Sequence, residues 1–312
     1  MDLLSVRTVS KRFQNRNVVD GLSFSVRQGE VFALLGPNGA GKTTTLRMLL
    51  GILRPDHGTI ELRRAGGQPF TPDRIGYLPE DRGLYRDIPV QRTLVYMGIL
   101  RGLPRDRATR LAQEWLARVG LQDRAHDKLE TLSRGNQQKV QFVSSLLHGP
   151  EFAVLDEPFS GLDPINQEFF IDILRELRRD GMTVLLSAHH MELVERLADR
   201  VLLMDHGREV LGGTLPEVRR RAKASDRVTV RVSEGADLSR LMNSPMVHRV
   251  EPGAAGEFAF FIKQGVSLHT FLHELSVTAE LLDIRTQSVS LHDIFVEAVG
   301  HGSRTDATGA TE

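Results

Sequence analysis

Short apolar runs rich in branched side chains punctuate the first two-thirds of the chain: Val31–Leu35, Ala153–Leu155, Thr183–Leu186 and Val201–Met204. Continuous apolar runs of this length, without alternation, mark strands buried on both faces. Helical periods fall between them. Ala108, Leu111, Ala112, Trp115, Leu116 and Val119 lie on one helical face closed by Gly120; Phe170, Ile173, Leu174 and Leu177 form another on a helix predicted from Pro164 to Gly181. From about Ile88 to Leu147 only helical periods occur, so a helical subdomain, about 86–149, is expected as an insertion between strands. Asp205-His206-Gly207 predicts a turn that joins Val201–Met204 to Arg208–Leu211 as a hairpin.

The pattern restarts after Arg219-Arg220-Arg221-Ala222-Lys223. Alternating Val228, Val230 and Val232 predict a strand. After it come a short helix (Leu238–Met242), strands Val247–Val250 and Phe258–Ile262, a helix Ser267–Leu275, a strand Glu280–Arg285 and a helix Leu291–Val299. The order βαββαβ predicts a small ferredoxin-like α+β sandwich, with Ser267 and Ser290 as helix caps. Three segments are therefore expected: an α/β domain over 1–219, an α+β domain over 220–300, and a Gly/Thr/Ala tail over 301–312 that is expected to be disordered.

Charge and composition remove several function classes. Forty Lys plus Arg balance 40 Asp plus Glu, so no overall field draws nucleic acid or anionic lipid, and any polyanion must be held locally. With no cysteine, disulfides, thiolate metal sites and thiol nucleophiles are excluded. Met1 to Phe13 lacks the apolar stretch of a signal peptide, and no run reaches the ~18 apolar residues of a membrane helix. The chain is expected neither to leave the cell nor to span a membrane.

Gly36-Pro37-Asn38-Gly39-Ala40-Gly41-Lys42-Thr43-Thr44 matches the P-loop pattern and lies between a predicted strand and a predicted helix. Its glycines let backbone N–H groups curl around an anion, and the helix N-terminus adds positive partial charge there. In such a loop Lys42 reaches the β- and γ-phosphates of a nucleotide, the Thr43 hydroxyl ligates Mg2+, and Thr44 contacts phosphate from the next position. Phe13, upstream, could stack on adenine or serve as partial core. Phe152-Ala153-Val154-Leu155-Asp156-Glu157 is a buried run ending in two acids, where α/β sheets bind ligands. Asp156 is expected to hold Mg2+ through water and Glu157 to act as general base on the attacking water. Ser160-Gly161-Leu162-Asp163-Pro164 forms a turn that could carry Asp163 toward a partner's site or do no more than start a helix. His189 ends another apolar run, at the top of a parallel strand, where its imidazole is expected to contact the γ-phosphate and the attacking water or, as a lone His, to be structural.

Leu132-Ser133-Arg134-Gly135-Asn136-Gln137-Gln138-Lys139-Val140 resembles the signature sequence of ATP-binding-cassette (ABC) proteins, usually Leu-Ser-Gly-Gly-Gln followed by Gln-Gln-Arg. The resemblance spans roughly Leu3 to Gly213, with P-loop, signature, paired acids, Asp163 loop and His189 in the family's order. It implies the ABC ATPase form of the P-loop NTPase fold, hydrolysis of ATP with Mg2+, and a nucleotide-sandwich dimer in which Ser133 and Gly135 cover the γ-phosphate on a second ATPase subunit, identical or a close paralogue. Arg134 and Asn136 replace the usual glycine and glutamine, which leaves that contact to Ser133 and Gly135. In Ile75-Gly76-Tyr77-Leu78-Pro79-Glu80, Glu80 stands where the family carries a metal-sensing glutamine, and it keeps an oxygen ligand while adding charge. Asp81-Arg82-Gly83-Leu84-Tyr85 together with Ser133-Arg134-Gly135-Asn136 looks like the bacterial subgroup of sodium efflux and drug or antibiotic export. Ser290-Leu291-His292-Asp293-Ile294-Phe295 is similar to accessory domains of such exporters.

The resemblance further implies separate transmembrane permease subunits, a cytoplasmic position on the inner face of the cell membrane, and no nucleic-acid partner. Cassette ATPases that act on DNA carry long coiled-coil or zinc insertions, and ribosomal ones duplicate the cassette; neither feature occurs here. A P-loop kinase would leave the signature unexplained. His269, His273 and His292 lack an acid or thiolate to complete a metal site and are expected on a solvated or partner-facing surface.

Overall fold

The computed structural model describes residues 1–305 apart from 65–66, 82, 223–226, 234–237, 254–255, 264–265 and 288. Arg82, Lys223 and residues 306–312, all touched by the expectations above, lie outside the described residues. The chain divides into two compact units, Met1–Leu215 and Pro216–Glu312. The division falls at the start of the helix Leu215–Arg221, a few residues before the boundary expected at 219/220.

In the first unit the chain runs β1 (Asp2–Phe13), β2 (Arg16–Arg27), β3 (Val31–Leu35), α1 (Lys42–Leu49), β4 (His57–Leu62) and β5 (Ile75–Leu78). Three helices follow without a strand among them: α2 (Val90–Leu100), α3 (Arg105–Arg118) and α4 (Arg134–Leu146). Then come β6 (Phe152–Asp156), α5 (Pro164–Arg179), β7 (Thr183–Ala188), α6 (Met191–Glu195), β8 (Arg200–Asp205) and β9 (Arg208–Thr214); α7 (Leu215–Arg221) starts at the last residue of this unit and otherwise belongs to the second.

A six-stranded sheet in the order β5-β6-β7-β3-β8-β9 forms the centre of this unit. Its first five strands are parallel, and β9 returns antiparallel to β8 through the predicted hairpin. Every residue of β3, β6 and β7 is buried, which is why these strands read as unbroken apolar runs. β1, β2 and β4 form a separate antiparallel sheet, order β2-β1-β4. The apolar pattern does not announce it, because the β1–β2 register shifts at four points and each shift breaks the alternation. Val9, Leu22 and Val26 of this sheet share a core with Phe32, Leu46 and Val154. The α3 stripe buries Ala108, Ala112, Trp115 and Leu116. Phe142 of α4 stacks on Phe170 of α5 at 4.2 Å between ring centroids, a fully buried pair whose loss to alanine would cost ~3–5 kcal/mol per ring.

The second unit contains β10 (Arg227–Val232), α8 (Ser239–Met242), β11 (Val247–Pro252), β12 (Glu257–Ile262), α9 (Leu268–Thr278), β13 (Leu281–Gln287) and α10 (Leu291–Thr305). Its four strands are ordered β11-β12-β10-β13, with every neighbouring pair antiparallel. Val228, Val230, Leu241, Phe260, Phe271 and Leu275 make its core. Two expectations need correction. Ser267 sits at the N-cap of α9 but makes no side-chain cap bond, whereas Ser290 does cap α10 through the Asp293 N–H (3.1 Å). α10 runs to Thr305, five residues into the segment expected to be disordered; a helix already capped at Ser290 can add such residues without a break in its hydrogen-bond ladder. His269, His273 and His292 are exposed, and among the described residues no His, Cys, Asp and Glu group forms a metal cage.

Candidate functional site

Parallel pairing brings the C-terminal ends of β5, β6, β7 and β3 to one edge of the central sheet. Leu78 pairs with Leu155, Asp156 with Ser187, and Leu35 with Ala188. The segments that leave these ends are Pro79-Glu80, Glu157, His189 and the loop opening at Gly36. Residues far apart in sequence are thus gathered where doubly wound sheets hold ligands.

The loop 36–44 is shaped by its surroundings as well as by its glycines. Gly36 has φ 154°, and a Cβ there would lie 2.2 Å from the Met204 carbonyl oxygen; at Gly41, φ 100°, it would lie 2.5 Å from that of Val18. β8 and β2 therefore hold the loop in a form that no other residue type accepts at these two positions. Asn38 and Gly39 are exposed at its crest, Ala40 is buried beneath, and Thr44 is half-buried in the first turn of α1. Lys42, only 6% exposed, donates to the carbonyls of Gly36 (2.8 Å) and Pro37 (3.2 Å), and its ammonium lies 3.6 Å from Glu157 Oε1.

Asp156 is fully buried. Its Oδ1 accepts from Ser187 Oγ (2.5 Å) and Thr43 Oγ1 (3.2 Å), while Oδ2 has no hydrogen-bond partner. Burial raises its pKa; the Ser187 and Thr43 hydrogen bonds oppose the rise, and the nearby Glu80 and Glu157 carboxylates add to it. Glu80 Oε2 lies 3.4 Å from the Thr43 hydroxyl. An orphaned buried carboxylate oxygen, a hydroxyl and a second carboxylate are hard oxygen donors, and the set fits a small divalent cation that takes its remaining ligands from phosphate and water.

Glu157 has φ 50°, a left-handed conformation uncommon outside glycine. Its N–H donates to Ser187 Oγ (2.9 Å), and its carboxylate lies between Lys42 and His189, whose Nδ1–H donates to Oε2 at 2.8 Å. Ser187 carries no motif, yet its one hydroxyl bridges both acids. The single sequence signal is a polar residue that follows the apolar run Val184–Leu186, two positions before His189.

The other predicted residues lie apart from this cluster. Ser133 caps α4, accepting weakly from the Asn136 N–H (3.4 Å). Gly135 approaches the Gly161 carbonyl: a Cβ there would lie 3.5 Å from it. Asp163 caps α5 and accepts from the N–H and side chain of Asn166, which hold its carboxyl below the usual range. Among the described residues no hydrogen bond or ion pair joins Ser133, Gly135 or Asp163 to loop 36–44. Phe13 is 43% exposed at the end of β1, with the Lys11 ammonium 5.6 Å from its ring centroid, so it is not core.

A glycine loop opening a helix at the end of a parallel strand, with two acids at the end of a neighbouring strand, defines a P-loop nucleoside triphosphatase. A sequence profile of the family described as "ABC transporter" matches residues 19–160. The chain is 37% identical over 298 residues to the uncharacterized ABC transporter ATP-binding protein YhaQ of Bacillus subtilis, covering 96% of this chain and 99% of the relative. It is 36% identical over 310 residues to the Nod factor export ATP-binding protein I of Ralstonia nicotianae, covering 97% and 95%. A solved structure of an ATP-binding subunit of an ABC transporter superimposes with a TM-score of 0.64 at 31% identity, over 70% of this chain and 92% of that one. The chain belongs to the ABC transporter family: it is an ATP-binding subunit and an ATPase of that family. ATPase subunits of this family dimerise and work with transmembrane subunits. Among the described residues no helix is long and apolar enough to cross a membrane.

Proposed function

We propose that this chain hydrolyses Mg2+·ATP at the edge built from Gly36–Thr44, Glu80, Asp156, Glu157 and His189, and that it drives export through separate transmembrane subunits. The observation that carries the reading is the Glu157 carboxylate, held 3.6 Å from Lys42 and 2.8 Å from His189 beside the loop. The N–H groups of Gly36, Asn38, Gly39, Ala40, Gly41, Lys42 and Thr44 cradle the phosphates, and Lys42 turns from its carbonyl partners to the β- and γ-phosphates. Thr43 and Glu80 would hold Mg2+ together with Asp156, which would act through water; the Asp156 Oδ2 without a hydrogen-bond partner supports this. When bound, Mg2+ neutralises charge on the β- and γ-phosphate oxygens. Glu157 orients the attacking water and takes its proton, and His189 fixes that carboxylate. Phe13, exposed at the end of β1, offers its face to adenine.

Ser133, Gly135 and Asp163 serve the site of a second ATPase subunit. Their separation from the chain's own loop supports this, as does the cap geometry of α4, whose first N–H groups suit a phosphate. Export is supported by the name of the Ralstonia relative, which matches over nearly the whole chain; sodium or a drug or antibiotic is the cargo class we infer. The protein works on the cytoplasmic face of the membrane and takes no nucleic acid, in keeping with its balanced charge.

Glu157→Gln tests the central assignment. It should keep ATP affinity, lower turnover by ~10²–10⁴, and accumulate an ATP-bound dimer detectable by size-exclusion chromatography. Near-normal single-turnover hydrolysis would refute Glu157 as the base.

A further inference from the structure

Two buried glutamines on α4 point away from the signature cap and into the loops of the hydrolytic edge. Gln138, 5% exposed, donates through Nε2 to the Pro158 carbonyl, one residue past Glu157 (3.3 Å). Gln141, 3% exposed, donates through Nε2 to two carbonyls, those of Pro79 (3.0 Å) and Asp81 (2.9 Å). These are the residues on either side of Glu80. Both amide hydrogens of Gln141 are thus used, and the backbone is gripped before and after Glu80, whose side chain reaches Thr43.

Few side chains can do this. The grip needs two hydrogens on one uncharged atom at the end of a buried arm; a carboxylate brings none, a hydroxyl one, and an ammonium brings an unpaired charge. Both accepting carbonyls belong to a loop rather than to the sheet ladder, so the two amide bonds help to fix the direction in which Glu80 leaves the backbone. The helix that carries Gln141 begins at Ser133, eight residues earlier, about 12 Å along the axis.

We propose that Gln141 is a positioning residue for hydrolysis: its carboxamide orients Glu80 toward Thr43 and the metal position, and binds that orientation to the helix headed by Ser133. Gln141 touches neither nucleotide nor metal. It acts as outer-shell partners of metal ligands do, by restricting the ligand's orientation. The proposal rests on Glu80 serving as a metal-side ligand.

Gln141→Met keeps the volume and removes both donors. Mg2+ affinity, measured by calorimetric titration in the presence of a non-hydrolysable ATP analogue, should weaken about tenfold. The kcat for ATP should fall by a similar factor, and KM for ATP should stay within twofold. Gln138→Met, which cuts a bond to Pro158 rather than to the Glu80 loop, should leave Mg2+ affinity within twofold. Glu80→Ala should weaken Mg2+ binding by itself, and the Glu80→Ala/Gln141→Met double variant should be no weaker than Glu80→Ala alone, because both changes remove one interaction. Folding of each variant is checked by Trp115 fluorescence. If Gln141→Met does not fold, Gln141→Asn, whose shorter amide falls short of the two carbonyls, carries the same expectation at about threefold. Unchanged Mg2+ affinity in Glu80→Ala would overturn the reading of Glu80 and the proposal with it. A shift in Glu80→Ala with none in the folded Gln141 variant, or additive losses in the double variant, would overturn the role of Gln141 alone.

Discussion

Ser187→Ala is the most demanding test of the site, because the residue belongs to no motif and its weight comes only from geometry. Its hydroxyl donates to Asp156 Oδ1 at 2.5 Å and accepts from the Glu157 N–H at 2.9 Å, all within a fully buried strand. A hydrogen bond to a carboxylate contributes ~1.5–3 kcal/mol, and an unsatisfied buried N–H costs ~1–3 kcal/mol. One oxygen makes both bonds, so the two figures overlap and the combined loss is about 3 kcal/mol. Trp115, the only tryptophan, is buried in the same unit, so urea unfolding followed by its fluorescence reports on that unit. The hydroxyl also opposes the burial that raises the Asp156 pKa. Its removal should raise that pKa further, protonate the carboxyl at higher pH, and move the acid limb of the ATPase profile upward. Mg2+ affinity should fall ~10–100-fold, as for other partners of metal ligands. A variant within 0.5 kcal/mol of wild type, roughly the scale of a surface change, with unaltered ATPase activity and pH profile would refute the bridging role.

Lys42→Ala should weaken ATP binding itself in a direct titration, since it removes the charge set against the β- and γ-phosphates; unchanged affinity would contradict the cradle. Ser133→Arg should bind ATP but neither dimerise nor hydrolyse it, because a bulky cation would stand where a second subunit's phosphate approaches. Mixing it with Lys42→Ala chains should recover some ATP-driven dimer, as each mixed pair holds one site with an intact loop and an intact signature; normal hydrolysis by Ser133→Arg alone would sink the shared site. His148 donates from Nε2–H to the Ile75 carbonyl (3.3 Å), its Nδ1 is buried without a partner, and burial lowers its pKa from 6.5 to about 4. Between those values the unfolded chain binds the extra proton and the folded one does not, so stability should fall as pH drops from 6.5 toward 4. In His148→Leu that part of the slope should vanish from the unfolding curves; an identical slope would show that the ring does not titrate as its burial requires.

Much of this protein is legible from composition of segments alone. β3, β6, β7 and β8 are readable because strands buried inside a parallel sheet must be apolar throughout, and α3 and α5 because a one-sided helix repeats its apolar positions every three to four residues. The loop 36–44 is readable for a related reason: its glycines answer a local demand, backbone conformations and close approaches that side chains forbid, so the requirement is written where it acts. Asp156 and Glu157 follow from their place at a strand's end.

What depended on the tertiary structure is pairwise and distant. The β1–β2–β4 sheet stays hidden because bulges break its alternation. Ser187 is an ordinary strand residue until the β6–β7 register sets it against Asp156, 31 positions away, and Glu80 acquires a partner only where β5 ends beside α1. Gln141 looks like one polar residue in a helix, and only the course of the 79–81 loop makes its amide a clamp. In each case a polar side chain has no preferred meaning until burial removes water and leaves one set of partners within 3 Å or so, a condition that neighbouring residues in the chain do not encode.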